Sequence, residues 1–151
     1  MVARSDIGFE MEPFTVVAEA GRLRFFARAI GETDPVFFDE AAARAAGHPA
    51  LPLPPTFLFS MEFDGPDPFA FFDRLEIDFA DLLHGEQSFT YRRVVHAGER
   101  LTFVQRVADV YEKKGGALTF VVRETRVTDE AGAPVADLSA VLVVRNRGAA
   151  S

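Results

Sequence analysis

The chain has 151 residues, the usual length of one compact domain, and 48% of them are hydrophobic, which excludes a disordered chain. Its net charge of −7 argues against nucleic acid and anionic membrane surfaces as partners. The absence of cysteine excludes disulfides, thiolate catalysis and cysteine-ligated zinc. The sequence contains neither a signal peptide nor an apolar stretch long enough to span a membrane, so we expect a soluble, cytoplasmic protein.

The first half of the chain has the residue spacing of helices. Apolar residues recur at helical intervals from about Val16 to Ile30, and Gly31 follows as a stop signal. Asp39 is a suitable N-cap for a short helix over residues 40–46. The stretch Pro55–Phe63 predicts a helix that is apolar on nearly every side, so we place this helix in the core.

The second half has the alternating pattern of strands. Strands are predicted over residues 87–95, 101–113, 118–128 and 135–145. The alternation indicates an antiparallel meander with one packed face and one partly wet face. A buried helix followed by long antiparallel strands predicts an α+β fold in which one sheet wraps around a central helix. Such a sheet has uncovered edges, and dimerisation is the simplest way to cover them.

One loop carries a recognisable pattern. Residues 31–37 read Gly-Glu-Thr-Asp-Pro-Val-Phe, and an alanine-rich run follows over residues 41–46. The pattern resembles the Gly-Asp-x-Asn-Pro-(Leu/Ile/Val)-His signature of the MaoC-like dehydratase and (R)-specific enoyl-CoA hydratase family. Leu53–Phe57 is similar to the entry of that family's central helix, and Leu83–Tyr91 is similar to the strand that comes next. The resemblance spans roughly Phe14 to Asn146 and is closest to the N-terminal-half, fatty-acid-synthase-like dehydratase type.

The resemblance implies a hot-dog fold, an antiparallel sheet wrapped around a central helix, as a single domain over residues 1–151. It also implies an acyl-CoA or acyl-ACP thioester as ligand, with the acyl chain in a tunnel at a subunit interface. The expected partner is a second copy or a second hot-dog subunit that bears the active residues. No metal site and no cofactor are expected, because the sequence contains no metal-ligand spacing and no nucleotide-binding motif.

The signature departs from the family at the positions that carry chemistry. In active members, its Asp and His hold the water that is added to a 2-enoyl thioester. Here Glu32 stands at the Asp position, Asp34 at the Asn position and Phe37 at the His position. Phenylalanine can neither donate nor accept a proton, and loss of a positioned acid or base costs about 10²–10⁴ in rate. We therefore expect the chain to lack a complete catalytic dyad.

The histidines His48, His84 and His96 are each most simply explained as surface or hydrogen-bonded side chains. His84 is the exception to consider, because pairing with Glu32 or Glu86 at the ligand would restore an acid and a base. The candidate catalytic residues are thus Glu32, Asp34 and His84. The candidate substrate-binding residues are Phe37, Pro55, Thr56, Phe57 and Gly85.

Three functions remain open from the sequence. The first is an acyl-thioester-binding subunit of a (3R)-hydroxyacyl-CoA or -ACP dehydratase assembly of the enoyl-CoA hydratase type. The second is a self-sufficient homodimer that acts as an enoyl-CoA hydratase or acyl-CoA thioesterase through Glu32 or Glu62. Glu62 is otherwise explained as a surface residue at a helix end. The third is an acyl-CoA-binding module without catalysis.

Overall fold

The computed structural model describes residues 2–147, and its five strands form one antiparallel sheet. The strands are β1 (Phe14–Val17), β2 (Leu82–Tyr91), β3 (Arg100–Lys113), β4 (Leu118–Thr128) and β5 (Pro134–Arg145). The α-helices are α1 (Ala20–Ala29), α2 (Glu40–Ala45), α3 (Phe57–Met61) and α4 (Ala70–Arg74). The predicted antiparallel sheet is confirmed.

The strand order in the sheet is β1-β3-β4-β5-β2. The meander is therefore limited to β3, β4 and β5, while β2 pairs with β5 at the far edge of the sheet. β1 was not predicted, because its apolar residues also fit a helical spacing. It is a strand because residues 14–17 pair with residues 100–103 of β3, and α1 begins only at Ala20.

The two edges of the sheet differ in how well they are covered. On the β1 side, the amide of Gly8 donates to the carbonyl of Val107 at 2.9 Å, and the amide of Met11 donates to Gln105 at 2.8 Å. This irregular segment extends the cover that β1 gives to β3. On the other side, β2 presents a ten-residue edge, and within residues 2–147 no further strand pairs with it.

The helices follow local capping chemistry. The prediction for α2 is confirmed: the carboxylate of Asp39 accepts the amide of Ala42 at 2.8 Å, and Gly47 adopts a φ of +90° just beyond the helix. The central helix is shorter than predicted, since α3 ends at Met61. The next amides make tighter i→i−3 bonds, such as Phe63 to the Ser60 carbonyl at 3.1 Å.

The core consists of two apolar clusters with polar side chains between them. One cluster contains Leu101 and Phe103 of β3, and the other contains Val107 and Val110 of the same strand. Between them lie four buried polar residues, which we call the polar layer: Glu62, Gln105, Arg123 and Thr125. From Val121 to Val127, the inward face of β4 therefore changes from apolar to polar and back to apolar.

Gly85 occupies a β-bulge in β2, where a side chain has little room. A Cβ at this position would lie 3.1 Å from the carbonyl oxygen of Val141 and 3.1 Å from Cγ2 of Val143. Because β5 pairs on both sides, its carbonyl cannot retreat easily. Gly85→Ala is expected to lower the free energy of unfolding in urea by about 1–3 kcal/mol.

The matched control for this substitution is Gly21→Ala in α1. A Cβ there meets only Oε2 of Glu19 at 3.5 Å, an ordinary contact, and alanine is the better helix former. The control variant should be as stable as the wild type or slightly more stable. A Gly85→Ala protein with wild-type stability would contradict the packing account of this glycine.

Candidate functional site

The two carboxylates of the signature loop are bonded to the loop itself. Oε1 of Glu32 accepts the amides of Thr33 at 2.8 Å and of Asp34 at 3.0 Å. Oδ1 of Asp34 accepts the amide of Val36 at 3.0 Å and caps the short 3₁₀ turn that follows. Both side chains act as caps of local backbone turns, which is a common role of Asp and Glu in loops.

The position of the expected histidine lies in that 3₁₀ turn. Phe37 is half-buried there and has no group that can exchange a proton. Its neighbour Phe38 anchors the turn to α1, because its carbonyl accepts Nε of Arg24 at 2.9 Å. In the described part of the chain, neither Glu32 nor Asp34 has a hydrogen bond to a histidine.

His84 is exposed on the edge strand β2. Its Nε2 lies 3.0 Å from the backbone carbonyl oxygen of Glu86, and its ring contacts Phe59 at a centroid distance of 5.1 Å. The polar partner of this histidine is thus a main-chain oxygen of the bulge. The structure does not bring His84 together with the carboxylate of Glu32 or of Glu86.

The other two histidines form a pair. Nδ1 of His48 lies 3.0 Å from Nε2 of His96, so one ring donates and the other accepts. The amide of His96 donates to Oε1 of Glu99 at 2.7 Å, and Oε2 of Glu99 accepts Nη2 of Arg93 at 2.7 Å. Burial raises the pKa of Glu99, but the bonds from Arg93 and His96 outweigh it and hold this pKa below its ordinary value.

An apolar pocket of about 360 Å³ opens where α3 begins and β2 ends. The hydroxyl of Tyr91 donates to the carbonyl of Pro55 at 2.8 Å and joins the two sides. Partial burial raises the pKa of this phenol, so the hydroxyl remains a donor at neutral pH. The lining residues are Leu53, Pro55, Leu58, Tyr91, Arg92, Arg93, Val94 and Val95.

The predicted substrate-binding residues are scattered around this pocket. Pro55 lines it, and Thr56 is the exposed residue next to Pro55. Phe57 is buried, with its ring 5.0 Å from that of Phe26, so it belongs to the core below the pocket. Gly85 lies in the β2 bulge and Phe37 in the signature loop, and neither lines the pocket.

The polar layer contains a buried ion pair that the sequence analysis missed. Oε2 of Glu62 accepts Nη2 of Arg123 at 2.6 Å, and Oε1 accepts the hydroxyl of Thr125. The side chains of Glu62 and Arg123 are 1% and 2% exposed. Glu62 is therefore not a surface residue at a helix end.

The guanidinium of Arg123 is enclosed mainly by aromatic rings. Its Cζ lies 5.4 Å from the ring centroid of Phe71 and 5.8 Å from that of Phe72. Burial lowers the pKa of Arg123 below its ordinary value, and the carboxylate of Glu62 opposes part of this effect. Its Nε is buried without a hydrogen-bond partner among the described residues.

Residues 2–147 contain neither a cluster of metal ligands nor a helix that could span a membrane. No group of three or more histidine or carboxylate side chains is arranged to hold a metal ion. No helix in this range has the length and apolar character needed to cross a membrane.

The family model of the FAS1-like dehydratase domain region matches residues 5–138. The chain belongs to this family. A UPF0336 protein of Streptomyces coelicolor is 37% identical over 135 residues, which cover 88% of this chain and 89% of that protein. A second UPF0336 protein, from Leifsonia xyli subsp. xyli, is 39% identical over 133 residues, which cover 88% of this chain and 87% of that protein.

Solved structures of dehydratases and hydratases share the fold of this family member. C-terminally truncated HadBC, a (3R)-hydroxyacyl-ACP dehydratase complex of Mycobacterium tuberculosis, superposes with a TM-score of 0.77 at 25% identity, covering 91% of this chain and 96% of that chain. The (R)-hydratase from A. caviae involved in PHA biosynthesis superposes with a TM-score of 0.69 at 19% identity, covering 93% of this chain and 98% of that chain. The predicted MaoC-like hot-dog fold is confirmed.

The buried ion pair provides a direct stability test. Glu62→Ala leaves the guanidinium of Arg123 buried and unpaired, so the free energy of unfolding should fall by about 3–5 kcal/mol. Replacing both residues, with Glu62→Met and Arg123→Met, removes both charges and leaves only the Thr125 hydroxyl without its partner, so it should be clearly less destabilising than Glu62→Ala. Urea unfolding of both variants measures the difference. If the free energy of unfolding of Glu62→Ala lies less than about 1 kcal/mol below that of the wild type, the burial of this pair is contradicted.

Proposed function

We propose that this chain is an acyl-thioester-binding subunit of a (3R)-hydroxyacyl-CoA or -ACP dehydratase assembly, of the enoyl-CoA hydratase type. In this proposal it is one cytoplasmic hot-dog domain without a complete catalytic dyad. The observation that carries the proposal is the state of the signature loop. Glu32 and Asp34 hold the loop's own amides, and Phe37 occupies the histidine position. Hydration needs an acid and a base within reach of one water.

The apolar pocket supports acyl binding in this subunit. Leu58 and Val95 form apolar walls, and the cationic residues Arg92 and Arg93 also line the pocket. Both arginines are held by carboxylates, as in the 2.7 Å bond from Arg92 to Asp137. An apolar cavity with cationic residues in its lining suits a thioester that joins an aliphatic tail to a phosphorylated carrier.

The main-chain amides at the start of α3 support binding of a thioester more than its catalytic turnover. Active hydratases polarise the thioester carbonyl with main-chain amides at the central helix. Here the amide of Phe57 donates to the carbonyl of Pro54 at 2.9 Å, and that of Phe59 donates to Thr56 at 3.2 Å. These two amides are already used within the turn, and α3 has only five residues to add to the helix dipole.

The open edge of β2 supports assembly with a second hot-dog subunit. Leu83 and Tyr91 on this strand are 54% and 43% exposed. Within residues 2–147, no strand pairs with the outer edge of β2. The superposition on HadBC, a dehydratase complex, agrees with a heterodimer. The proposed partner carries the intact Asp and His and receives the thioester end of the ligand.

The geometry gives less support to hydrolysis by Glu62. Both of its oxygens accept bonds from buried partners, Arg123 and Thr125, and its side chain is 1% exposed. A carboxylate that attacks a thioester or activates water must reach solvent or substrate. The ion pair is better explained as part of the core.

Acyl binding is tested with matched valine variants. Val94 lines the pocket and is 50% exposed, whereas Val17 lies outside the pocket lining on β1 and is 38% exposed. Val94→Gln should weaken octanoyl-CoA binding about tenfold, because it places an amide against the acyl chain. Val17→Gln should bind as the wild type does.

The same protein preparations provide the turnover assay. Calorimetry should give saturable octanoyl-CoA binding to the purified chain, while spectrophotometry should detect no hydration of crotonyl-CoA by that chain alone. Equal affinities of the two glutamine variants would refute this pocket as the acyl site. Hydration by the chain alone would refute the absence of a complete dyad.

A further inference from the structure

The polar layer lies one helical turn beyond the apolar pocket. Leu58 lines the pocket, and Glu62 follows four residues later with helical backbone angles, φ −60° and ψ −23°. Residues i and i+4 share one face of a helix and are separated by about 6 Å along its axis. A ligand that extends from the pocket along this face of α3 therefore meets the carboxylate of Glu62.

The layer resists an apolar chain for an electrostatic reason. The two oxygens of Glu62 are bonded to Arg123 and Thr125, and all three residues are at most 3% exposed. A methyl end that enters the layer has to separate these groups and leave charges without partners in the interior. This loss outweighs the gain from burying several methylene groups.

The space beside Arg123 is filled, whereas a separate pocket of about 170 Å³ lies against Glu62 and Gln105. The rings of Phe71 and Phe72 flank the guanidinium of Arg123, and both residues are at most 3% exposed. Gln105, 7% exposed, adds a further polar side chain from β3. An acyl tail thus finds apolar side chains in front of the layer, a packed cluster beside Arg123 and, against Glu62, a second pocket that shares no lining residue with the first.

We infer that the buried pair of Glu62 and Arg123 limits acyl-chain length, so that the ligands of this subunit are short- and medium-chain acyl thioesters. The inference rests on the proposed function, because it takes the apolar pocket as the acyl site. Glu62 and Arg123 are then specificity-determining residues that face only the end of the tail.

The test measures affinity against chain length with the full-length protein. Butyryl-, octanoyl-, dodecanoyl- and palmitoyl-CoA are titrated by calorimetry. Wild-type affinity should rise about fourfold for each added methylene until the tail reaches the layer, and then stop rising before palmitoyl. In the double variant Glu62→Met with Arg123→Met, the rise should continue, and palmitoyl-CoA should bind about tenfold tighter than to wild type.

The matched control removes an ion pair from the solvent-facing side of β3 and β4. Arg106 of β3 and Glu124 of β4 lie 2.6 Å apart and are both exposed to solvent by nearly half. The double variant Arg106→Met with Glu124→Met also leaves the net charge unchanged. It should keep the wild-type dependence on chain length.

A second measurement needs only the wild-type protein. Acyl-CoA ligands with a hydroxyl group on the terminal carbon should bind more weakly than the plain ligands at short lengths, where that hydroxyl is buried without a partner. At the length where wild-type affinity stops rising, the hydroxyl reaches Glu62 and this penalty should disappear. This measurement stays valid if the double methionine variant does not fold.

The outcomes separate this inference from the proposed function. If no acyl-CoA of any length binds, the proposed function fails and the inference fails with it. If acyl-CoA binds but its affinity for the wild type and for the Glu62/Arg123 variant stops rising at the same chain length, only the inference is overturned. Affinity that rises through palmitoyl in wild type, or a hydroxyl penalty that is equal at all lengths, also overturns only the inference.

Discussion

The rest of the structure is arranged around one buried charge pair, in which Arg123 of β4 reaches the carboxylate that follows α3. Two ions in a protein interior are tolerated only when their partners are close and well oriented, and Thr125 supplies the additional bond that Glu62 needs. The requirement fixes the end of α3 against β4. It also divides the core into two apolar clusters.

The carboxylates of the signature loop stabilise the backbone of the loop itself. Glu32 stands at the Asp position of the signature and Asp34 at its Asn position, and the oxygens of both side chains accept amides of the loop. The half-buried ring of Phe37 takes the place of a proton carrier. In the proposed function, the loop therefore lacks the histidine of the acid–base dyad.

Features set by neighbouring residues could be predicted from the sequence. The cap at Asp39 defined α2, and alternation defined β3, β4 and β5. Features set by distant partners could not. β1 depends on pairing with β3, and a helical spacing at Val17 concealed it. The position of β2 beside β5 is likewise a matter of non-local pairing.

The same distinction holds for the candidate site. The proposed lack of a complete dyad follows from the identity of Phe37 alone, and it stays a prediction. The burial of Glu62 was not predictable, because its partner Arg123 lies 61 residues away in sequence. A signal was nevertheless present in β4. Arg123 and Thr125 occupy the same alternating positions as Val121 and Val127, which places two polar side chains on the inward face.

The central claim is that this chain binds the acyl thioester and leaves proton transfer to its partner. The most direct test is kcat for enoyl-thioester hydration by the assembled complex in which this chain carries Glu32→Gln and Asp34→Asn. Both amides keep the oxygen that caps the loop but cannot act as bases. The account predicts a kcat within about twofold of the wild-type complex. A fall of about a hundredfold or more, the usual cost of losing a positioned acid or base, would contradict it.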